Sequence, residues 1–299
     1  RISQIQRKQM TTSNAKNVKV FAVQGTFDDC QSIVKELFAD KALVSDVNLS
    51  GVNSINWARI LVQIIYYFSA FYQLKDFSGG KLSFSVPTGN FGDAYAGYIS
   101  KRMGLPINKI IVATNKNDIL DRVFKTGLYK SDSVSKTLSP SMDIQVASNF
   151  ERLLFDLLNN DTKEVRKLMN NLSNKGHFNL EKKILTKISK DFSSRAVTDN
   201  DTIATINHFH NEREIVLCPH SAIGVRVAKD FIDTGETVVS LGTAHPAKFK
   251  ETVESALEVS IPIPSALEII MEKQESVRVI PPNKHKVAEE IRKSFLKEN

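Results

Sequence analysis

Short apolar runs recur along the chain, and each one precedes a turn and a segment with helical spacing of its apolar residues. The runs that predict strands lie at residues 18–23, 82–86, 109–114, 215–217 and 237–241. Strands that alternate with helices are typical of βαβ units and of a mainly parallel sheet. We therefore predict an open α/β fold whose sheet is flanked by helices.

Polar residues and glycines follow the predicted strands. In an open parallel sheet, ligands bind beyond the carboxyl ends of the strands. The residues found there are Thr26, 89–93, Asn115, Pro219, His220 and 243–245. We therefore expect the functional site at this edge of the sheet.

The pattern changes between residues 148 and 211, where polar helical segments follow one another. Their joints are rich in Asn and Asp, which favour turns and helix ends. We predict four parts along the chain: residues 1–147 in the α/β core, 148–211 as a helical insertion, 212–260 as a return to the core, and 261–299 as a peripheral C-terminal tail.

The most apolar segment is residues 60–72, which contains Gln63 and is shorter than the roughly 20 residues that span a bilayer. We predict a buried helix there and no membrane partner. The chain starts with neither a signal-peptide pattern nor an initiator methionine, so we expect it to be cut from a longer protein. Cys30 and Cys218 lack disulfide-scaffold spacing, which favours a reducing compartment, the cytoplasm or the mitochondrial matrix.

The charge of the chain narrows the class of ligand. The 299 residues include 41% hydrophobic and 24% charged residues, an ordinary globular composition, and the formal net charge is +7. This balance suggests anionic ligands. Basic residues are mixed with acidic ones, and no basic run is interleaved with aromatic residues. We therefore predict no nucleic acid partner.

The segment at residues 85–98 (SVPTGNFGDAYAGY) joins a predicted strand to a predicted helix. A helix start presents free backbone N–H groups and the positive end of the helix dipole, which suit a phosphate. Gly89 and Gly92 let the backbone approach an anion without a Cβ in the way. The alternative is a connection without a ligand, in which Asp93 caps the helix. A nucleotide is disfavoured, because the segment has neither a P-loop Lys-Ser/Thr pair nor a G-x-G-x-x-G pattern.

A second strand is followed by residues 240–249 (SLGTAHPAKF), which place a hydroxyl and an imidazole where the strand ends. Taken alone, Thr243 could cap the helix predicted at residues 246–257, and His245 could be a hydrogen-bonded buried histidine. A functional role for the two loops is favoured when they are considered together with a third segment at residues 53–59.

Seven segments stand in the order NSINWAR (53–59), VPTGNFGD (86–93), TNKNDIL (114–120), LSPSMDI (138–144), NFERLL (149–154), PHSAIG (219–224) and GTAHPAKF (242–249). Together they resemble threonine synthase, in particular the longer fungal and animal branch that includes the animal threonine synthase-like proteins. The resemblance runs from Arg1 to about Glu258, and the remaining residues carry little of it.

The resemblance implies an enzyme of fold type II that depends on pyridoxal 5′-phosphate (PLP), bound by the α/β core. Its substrate would be O-phospho-L-homoserine and its products L-threonine and phosphate. The resemblance assigns the cofactor phosphate to Gly89, Asn90, Phe91, Gly92 and Asp93. We expect the Asp93 backbone N–H to face the ligand while its side chain caps the helix.

The resemblance also assigns the pyridine nitrogen of PLP to Thr243, whose neutral hydroxyl can donate to an unprotonated nitrogen. His245 could relay protons or position the loop. Candidates for substrate binding are Asn53, Ser54, Asn56 and Arg59, although Arg59 read alone would be a surface helix residue. We predict no metal, because the histidines and Cys218 do not form ligand pairs with a known spacing.

One departure from the family pattern concerns the Schiff-base lysine, which the family carries in a Phe-Lys-Asp motif. Phe249-Lys250-Glu251 resembles that motif but belongs to the second loop and the helix predicted after it. We therefore expect the lysine to precede Arg1 in the parent protein, and the chain alone to be inactive. Two further functions stay open: elimination to 2-oxobutyrate, and a binding or signalling role without catalysis. The sequence does not fix the oligomeric state.

Overall fold

The computed structural model describes residues 3–13, 15–25, 27–54, 56–74, 76, 81–232 and 235–296. Thr26 lies outside the described residues. The helices are α1 (Gln4–Thr11), α2 (Phe27–Ala39), α3 (Lys41–Val47), α4 (Trp57–Leu74), α5 (Gly92–Arg102), α6 (Ile119–Thr126), α7 (Phe150–Leu157), α8 (Thr162–Lys175), α9 (Lys182–Asp191), α10 (Asp199–Arg213), α11 (Pro219–Ile232), α12 (Lys250–Leu257), α13 (Ser265–Glu272) and α14 (Lys284–Leu296). The strands are β1 (Phe21–Val23), β2 (Leu82–Pro87), β3 (Ile107–Thr114), β4 (Leu128–Lys130), β5 (His177–Asn179), β6 (Phe192–Ala196), β7 (Val238–Ser240) and β8 (Arg278–Ile280). Short 3₁₀ helices span Pro140–Met142 and Pro246–Phe249.

The chain divides into two compact units, residues 52–261 and residues 1–51 with 262–299. In the larger unit, four strands form a parallel sheet in the order β6-β3-β2-β7. Val86 of β2 lies opposite Val112 of β3, and Ser85 lies opposite Ser240 of β7. The predicted α/β fold with a mainly parallel sheet is confirmed. A separate antiparallel pair is formed by β4 and β5.

The central strand β2 is covered on both faces, since all residues from Leu82 to Val86 are buried. This is the burial expected of a parallel strand between two layers of helices. The hydroxyl of Ser85 donates to the Gly224 carbonyl of α11 at 2.7 Å, so this polar side chain is paired within the core. The site at the end of β2 is therefore anchored to the most buried part of the unit.

The smaller unit has its own pair of parallel strands and its own apolar cluster. β1 pairs with β8, and Ala22 lies opposite Val279. Ile33, Leu37 and Leu43 form a buried cluster with Ala288 of α14. The C-terminal residues predicted as a peripheral tail therefore pack with the N-terminal residues, and β1, predicted within the α/β core, belongs to this unit.

Two strand predictions need correction. Residues 215–217 form no strand, because α10 ends at Arg213, its C-cap Glu214 adopts the left-handed conformation (φ 56°), and α11 begins at Pro219. Conversely, the segment predicted as a helical insertion contains β6, which pairs with β3 in the central sheet. The sequence of β6, FSSRA, has no β-branched residues, so its strand conformation comes from its sheet partner rather than from local propensity.

The apolar helix α4 is buried on one face only. Ile60, Ile64 and Tyr67 are buried, but Val62 and Ile65 are 54% and 60% exposed. The prediction of a buried helix at residues 60–72 therefore holds for one face and is wrong for the other. Within the described part of the chain, no helix has the length and apolar character needed to cross a membrane.

Candidate functional site

The connection from β2 to α5 is held by buried side chains at both ends. The Thr88 backbone N–H donates to the Ala113 carbonyl at 2.8 Å, and the Thr88 hydroxyl donates to the Val86 carbonyl at 2.6 Å. Phe91 has a positive φ of 64° and is 1% exposed. Its ring contacts those of Phe124, Phe150 and Phe192 at centroid distances of 6.2, 5.6 and 5.7 Å. This packing stabilises a backbone conformation that is uncommon for a residue with a side chain.

The same connection presents a row of backbone donors. Within the described part of the chain, none of the N–H groups of residues 89–94 donates to another residue. Residues 92–94 form the first turn of α5, where intrahelical acceptors do not exist. Successive N–H groups at a helix start form a concave site with positive potential, which suits an anion.

A cavity of about 160 Å³ lies in front of these donors. Its walls come from the β2–α5 connection and from the region around the start of α4: Ser54, Arg59, Gln63, Pro87, Thr88, Gly89, Asn90, Phe91, Gly92, Asp93 and Ala94. The five residues predicted for the cofactor phosphate and two of the four predicted for the substrate thus face one cavity. Their proposed roles stay predictions.

Asn53 and Asn56 are not among the described residues that line this cavity. The side-chain oxygen of Asn56 accepts from the Ala58 backbone N–H at 2.8 Å, at the start of α4. The Arg59 backbone N–H donates to the Asn56 carbonyl at 3.1 Å. Asn56 therefore shapes the start of the helix that carries Arg59. Its predicted role in substrate binding stays a prediction.

Asp93 does not cap α5. The cap position is occupied by Phe91, which makes no side-chain cap, and Asp93 lies in the first turn. Its Oδ1 is buried and has no hydrogen-bond partner among the described residues. Burial raises the pKa of Asp93 to about 6, and the Tyr67 hydroxyl partly opposes this shift. The expectation that the Asp93 side chain caps the helix is therefore wrong, and the site contains a buried carboxyl that titrates close to neutral pH.

The two glycines of the loop meet different surroundings. A Cβ at Gly89 would lie 2.9 Å from the Ser141 carbonyl oxygen, so this glycine is required by the neighbouring chain segment. A Cβ at Gly92 would lie 3.4 Å from Asn149 Nδ2 and 3.5 Å from Gln63 Oε1, which are ordinary contacts. The sequence predicted that both glycines make room for an anion. At Gly89 the absence of a Cβ instead makes room for the Ser141 carbonyl.

The second loop follows β7, the neighbour of β2 in the sheet, so both loops lie at the same edge. The Thr243 backbone N–H donates to the Ser221 hydroxyl at 3.0 Å, and the two hydroxyl oxygens are 3.1 Å apart. Cys218 Sγ lies 3.3 Å from the Thr243 hydroxyl. These contacts fix the position of an otherwise exposed threonine.

His245, rather than Thr243, is the cap of the 3₁₀ helix Pro246–Phe249. Its Nδ1 accepts from the Ala247 backbone N–H at 3.2 Å. The alternative in which Thr243 is a helix cap is therefore wrong. The contact agrees with a positioning role for His245, while proton relay stays a prediction. Neither residue lines the cavity at Gly89–Asp93 among the described residues.

His220 supports the wall behind Gly89. Its Nε2 accepts from the Ser141 backbone N–H at 3.1 Å, and its ring lies 4.5 Å from that of Phe249. Burial lowers the pKa of His220 to about 4, so the ring is neutral at physiological pH. No cluster of three or more His, Cys, Asp or Glu that could hold a metal occurs in the described part of the chain.

The side chain of Lys250 is paired away from the cavity. Its Nζ donates to Glu254 Oε1 at 2.5 Å and to the Ile261 carbonyl at 3.0 Å. No lysine is found among the described residues that line the cavity. These contacts agree with the prediction that Lys250 is not the Schiff-base lysine.

Sequence reasoning identified neither Gln63, which lines the cavity, nor Asn149, which bonds two of the segments that face it. Gln63 follows Arg59 by four positions on α4 and shares its side of the helix, a spacing that could have identified it. Asn149 belongs to the NFERLL segment, but its side chain bonds Asn90 and Ser54, which precede it in the sequence by 59 and 95 positions. No local signal identifies such contacts.

Comparison with known proteins gives consistent matches. The family model "Threonine synthase, C-terminal" matches residues 221–291. The chain is 46% identical to threonine synthase of Pseudomonas aeruginosa over 283 residues, which covers 94% of the chain and 60% of that protein. It is 48% identical to threonine synthase of Saccharomyces cerevisiae over 277 residues, with 86% and 54% covered. The chain thus spans little more than half the length of these curated relatives.

A solved structure of PLP-bound threonine synthase from Brucella melitensis matches with a TM-score of 0.92 and 45% identity, and the match covers 99% of this chain and 63% of that one. The predicted fold type II is confirmed. The expectation that the resemblance ends near Glu258 is wrong, because the family model reaches residue 291.

Proposed function

Because the chain belongs to the threonine synthase family, we propose that it forms part of a PLP-dependent lyase that acts on O-phospho-L-homoserine and releases L-threonine and phosphate. The observation that carries this proposal is the cavity at the start of α5, where free backbone donors, Ser54 and Arg59 converge. A PLP enzyme with a phosphorylated substrate has to bind two phosphate groups, and this cavity has the chemistry for phosphate.

The residues present fit the phosphate of PLP. Backbone N–H groups without acceptors supply several donors to one anion, and they do so without a lysine. The Oδ1 of Asp93, which is buried and has no hydrogen-bond partner among the described residues, opposes an anion. A carboxyl whose pKa is raised to about 6 can take up a proton, and the neutral form can donate to a phosphate oxygen instead of repelling it.

The opposite wall of the cavity fits the phosphate of the substrate. Arg59 provides a guanidinium that can bind phosphate through two parallel hydrogen bonds, and Ser54 adds a hydroxyl. Both residues lie near the start of α4, where the helix dipole also favours an anion. In our proposal these groups orient the substrate so that its phosphate is held during release.

Thr243 is proposed to donate to the ring nitrogen of PLP. Ser221 holds this threonine by accepting from its backbone N–H, and the Ser221 hydroxyl hydrogen can point at Thr243 Oγ1. In that arrangement the Thr243 hydroxyl hydrogen is left for the ligand. When bound, PLP supplies the electron-withdrawing ring that makes removal of the substrate α-proton feasible.

A second candidate function is favoured by the lining of the cavity. Because no lysine lines it among the described residues, and because Lys250 is paired with Glu254, the 299-residue chain alone would bind PLP without turnover. A further alternative is that the enzyme eliminates phosphate to give 2-oxobutyrate instead of threonine.

Both cysteines among the described residues are free, which supports a reducing compartment, the cytoplasm or the mitochondrial matrix.

The proposal is tested by titrating the protein with PLP and following absorbance, then adding O-phospho-L-homoserine and measuring phosphate, threonine and 2-oxobutyrate. We expect saturable PLP binding, and turnover only in a protein that also contains the family's lysine motif. Threonine among the products supports the synthase, whereas 2-oxobutyrate alone supports elimination. Absence of PLP binding would contradict the proposal, and turnover by the 299-residue chain would contradict our placement of the lysine.

A further inference from the structure

Asn149 connects the two walls of the cavity at Gly89–Asp93. It is fully buried and precedes α7. Its Nδ2 donates to the Ser54 carbonyl at 2.9 Å and to the Asn90 carbonyl at 3.0 Å. Its backbone N–H also donates to the Asn90 carbonyl at 3.0 Å. A single side chain thus bonds both chain segments that face the cavity.

The orientation of the Asn149 amide is fixed by a neighbour. Arg152 Nε donates to Asn149 Oδ1 at 3.0 Å, and a guanidinium N–H can only donate. The oxygen of the amide therefore faces Arg152, and the NH₂ group faces the two carbonyls. The Arg152 guanidinium in turn lies over the Trp57 ring at 5.6 Å. Both amide hydrogens of Asn149 are consequently used between the two walls.

Asn149 also does not perform the role that its position would suggest. An asparagine at the cap position of a helix ordinarily accepts from a backbone N–H of the first turn. Asn149 occupies the cap position of α7 but makes no such side-chain bond. Its side chain instead donates to the carbonyls of Ser54 and Asn90, so its main structural contacts join these two segments.

We propose that Asn149 is a positioning residue that sets the width of the cavity by holding the Ser54 segment and the Asn90 loop together. The inference rests on the proposed function in one respect: the anion bound by the N–H groups of the Asn90 loop is taken to be phosphate. Without this side chain, the Ser54 carbonyl loses the bond from Asn149 Nδ2, the Asn90 carbonyl keeps only the bond from the Asn149 backbone N–H, and no bond from Asn149 joins the two walls. The loop would then lose an anchor, its N–H groups would converge less closely on one phosphate, and that phosphate would bind more weakly.

The test uses Asn149→Asp, which keeps the shape and the acceptor for Arg152 but replaces the NH₂ donor by a carboxylate oxygen. Asn108→Asp is the matched control. Asn108 also donates from Nδ2, to Ser83 and Glu236, but it lies near the amino end of β3, away from the cavity. Inorganic phosphate and PLP are the probes, and their dissociation constants are measured by calorimetry and absorbance.

A second readout is the backbone ¹⁵N order parameters of the unliganded protein. We expect Asn149→Asp to lower the order parameters of residues 53, 54, 56–59 and 88–93 together, and to raise the dissociation constants of both probes by about tenfold or more. Asn108→Asp should change neither quantity. Unchanged order parameters, loosening of one segment alone, or an equal loss of affinity in Asn108→Asp would overturn the proposal. If the unmodified protein binds neither probe, the proposed function fails, and the order parameters alone then decide the role of Asn149.

Discussion

The loops that follow β2 and β7 lie at the same edge of the sheet but are built on different principles. The loop after β2 offers backbone N–H groups of residues 89–94 that find no acceptor in the described part of the chain, and its Phe91 anchor is buried. The loop after β7 is largely exposed and offers one hydroxyl, Thr243, held by Ser221 and Cys218. The first suits a multiply charged anion, and the second suits one neutral acceptor.

The difference predicts which changes each loop tolerates. Backbone donors depend on the path of the chain, so the first loop is sensitive to an added side chain that displaces the backbone, as at Gly89. The second loop offers a single side-chain hydroxyl. We therefore expect it to tolerate substitutions that leave Thr243 in place, and to lose its hydrogen bond to the ligand when Thr243 is replaced. The same substitution made in each loop therefore shows whether binding depends on backbone donors or on one hydroxyl.

The largest effect is expected from the pair Gly89→Ala and Gly242→Ala. A Cβ at Gly89 lies 2.9 Å from the Ser141 carbonyl, so the loop has to shift, whereas a Cβ at Gly242 meets nothing within 4 Å. We expect Gly89→Ala to weaken PLP and phosphate binding by about 100-fold through lost charge-assisted bonds. Gly242→Ala should stay within about twofold of the unmodified protein. Equal affinities of the two variants in a PLP titration would contradict this account.

Asp93→Asn sharpens the comparison through pH. The pKa of Asp93 is raised from 3.8 to about 6 in the folded protein. Below pH 3.8 the carboxyl is protonated in both states. As pH rises toward 6, the unfolded state releases its proton first, so the folded protein loses stability. The asparagine variant should gain on the order of 2 kcal/mol above pH 6 and only a small fraction of that near pH 4.

Urea unfolding of both proteins at pH 4 and pH 8 measures this difference. Asp161→Asn is a control, because that carboxyl lies at the exposed start of α8, where it accepts from Lys163 and Glu164 N–H groups. A gain for Asp93→Asn that is the same at both pH values would show that the buried carboxyl does not titrate as described.

Arg59→Lys tests the wall of the cavity that faces the substrate phosphate. Lysine keeps the charge but loses the two parallel donors of the guanidinium. We expect KM for O-phospho-L-homoserine to rise by about tenfold, with PLP affinity unchanged, in a protein that contains the family's lysine motif. Arg102→Lys on α5, where the arginine pairs with Asp156, is the control. An unchanged KM in Arg59→Lys would show that Arg59 does not bind the substrate phosphate and is an ordinary surface residue of α4.

The smallest effect is expected from Thr243→Val. Loss of one neutral hydrogen bond corresponds to about fivefold in PLP affinity. The affinity for inorganic phosphate should not change, because phosphate has no ring nitrogen. Thr243→Ser keeps the hydroxyl and should behave like the unmodified protein. A parallel loss of phosphate and PLP affinity in Thr243→Val would mean that the second loop also shapes the anion site.

Sequence reasoning found the first loop because its signal is local: a buried strand, two glycines and a helix start follow one another. It placed Ser54 and Arg59 only through the family resemblance, since their approach to the loop depends on the packing of α4. It missed β6 because FSSRA becomes a strand through its pairing with β3. It also missed the role of Asn149, whose partners are distant in sequence.

The central claim is that the backbone N–H groups of residues 89–94 bind the phosphate of PLP, and ¹H–¹⁵N correlation spectra recorded during a PLP titration test it most directly. The account predicts that the amide resonances of residues 89–94 move as PLP is added and saturate with the affinity measured by absorbance. Inorganic phosphate should move the same resonances, while that of Thr243 responds to PLP only. Saturable PLP binding that leaves the resonances of residues 89–94 in place would contradict the account.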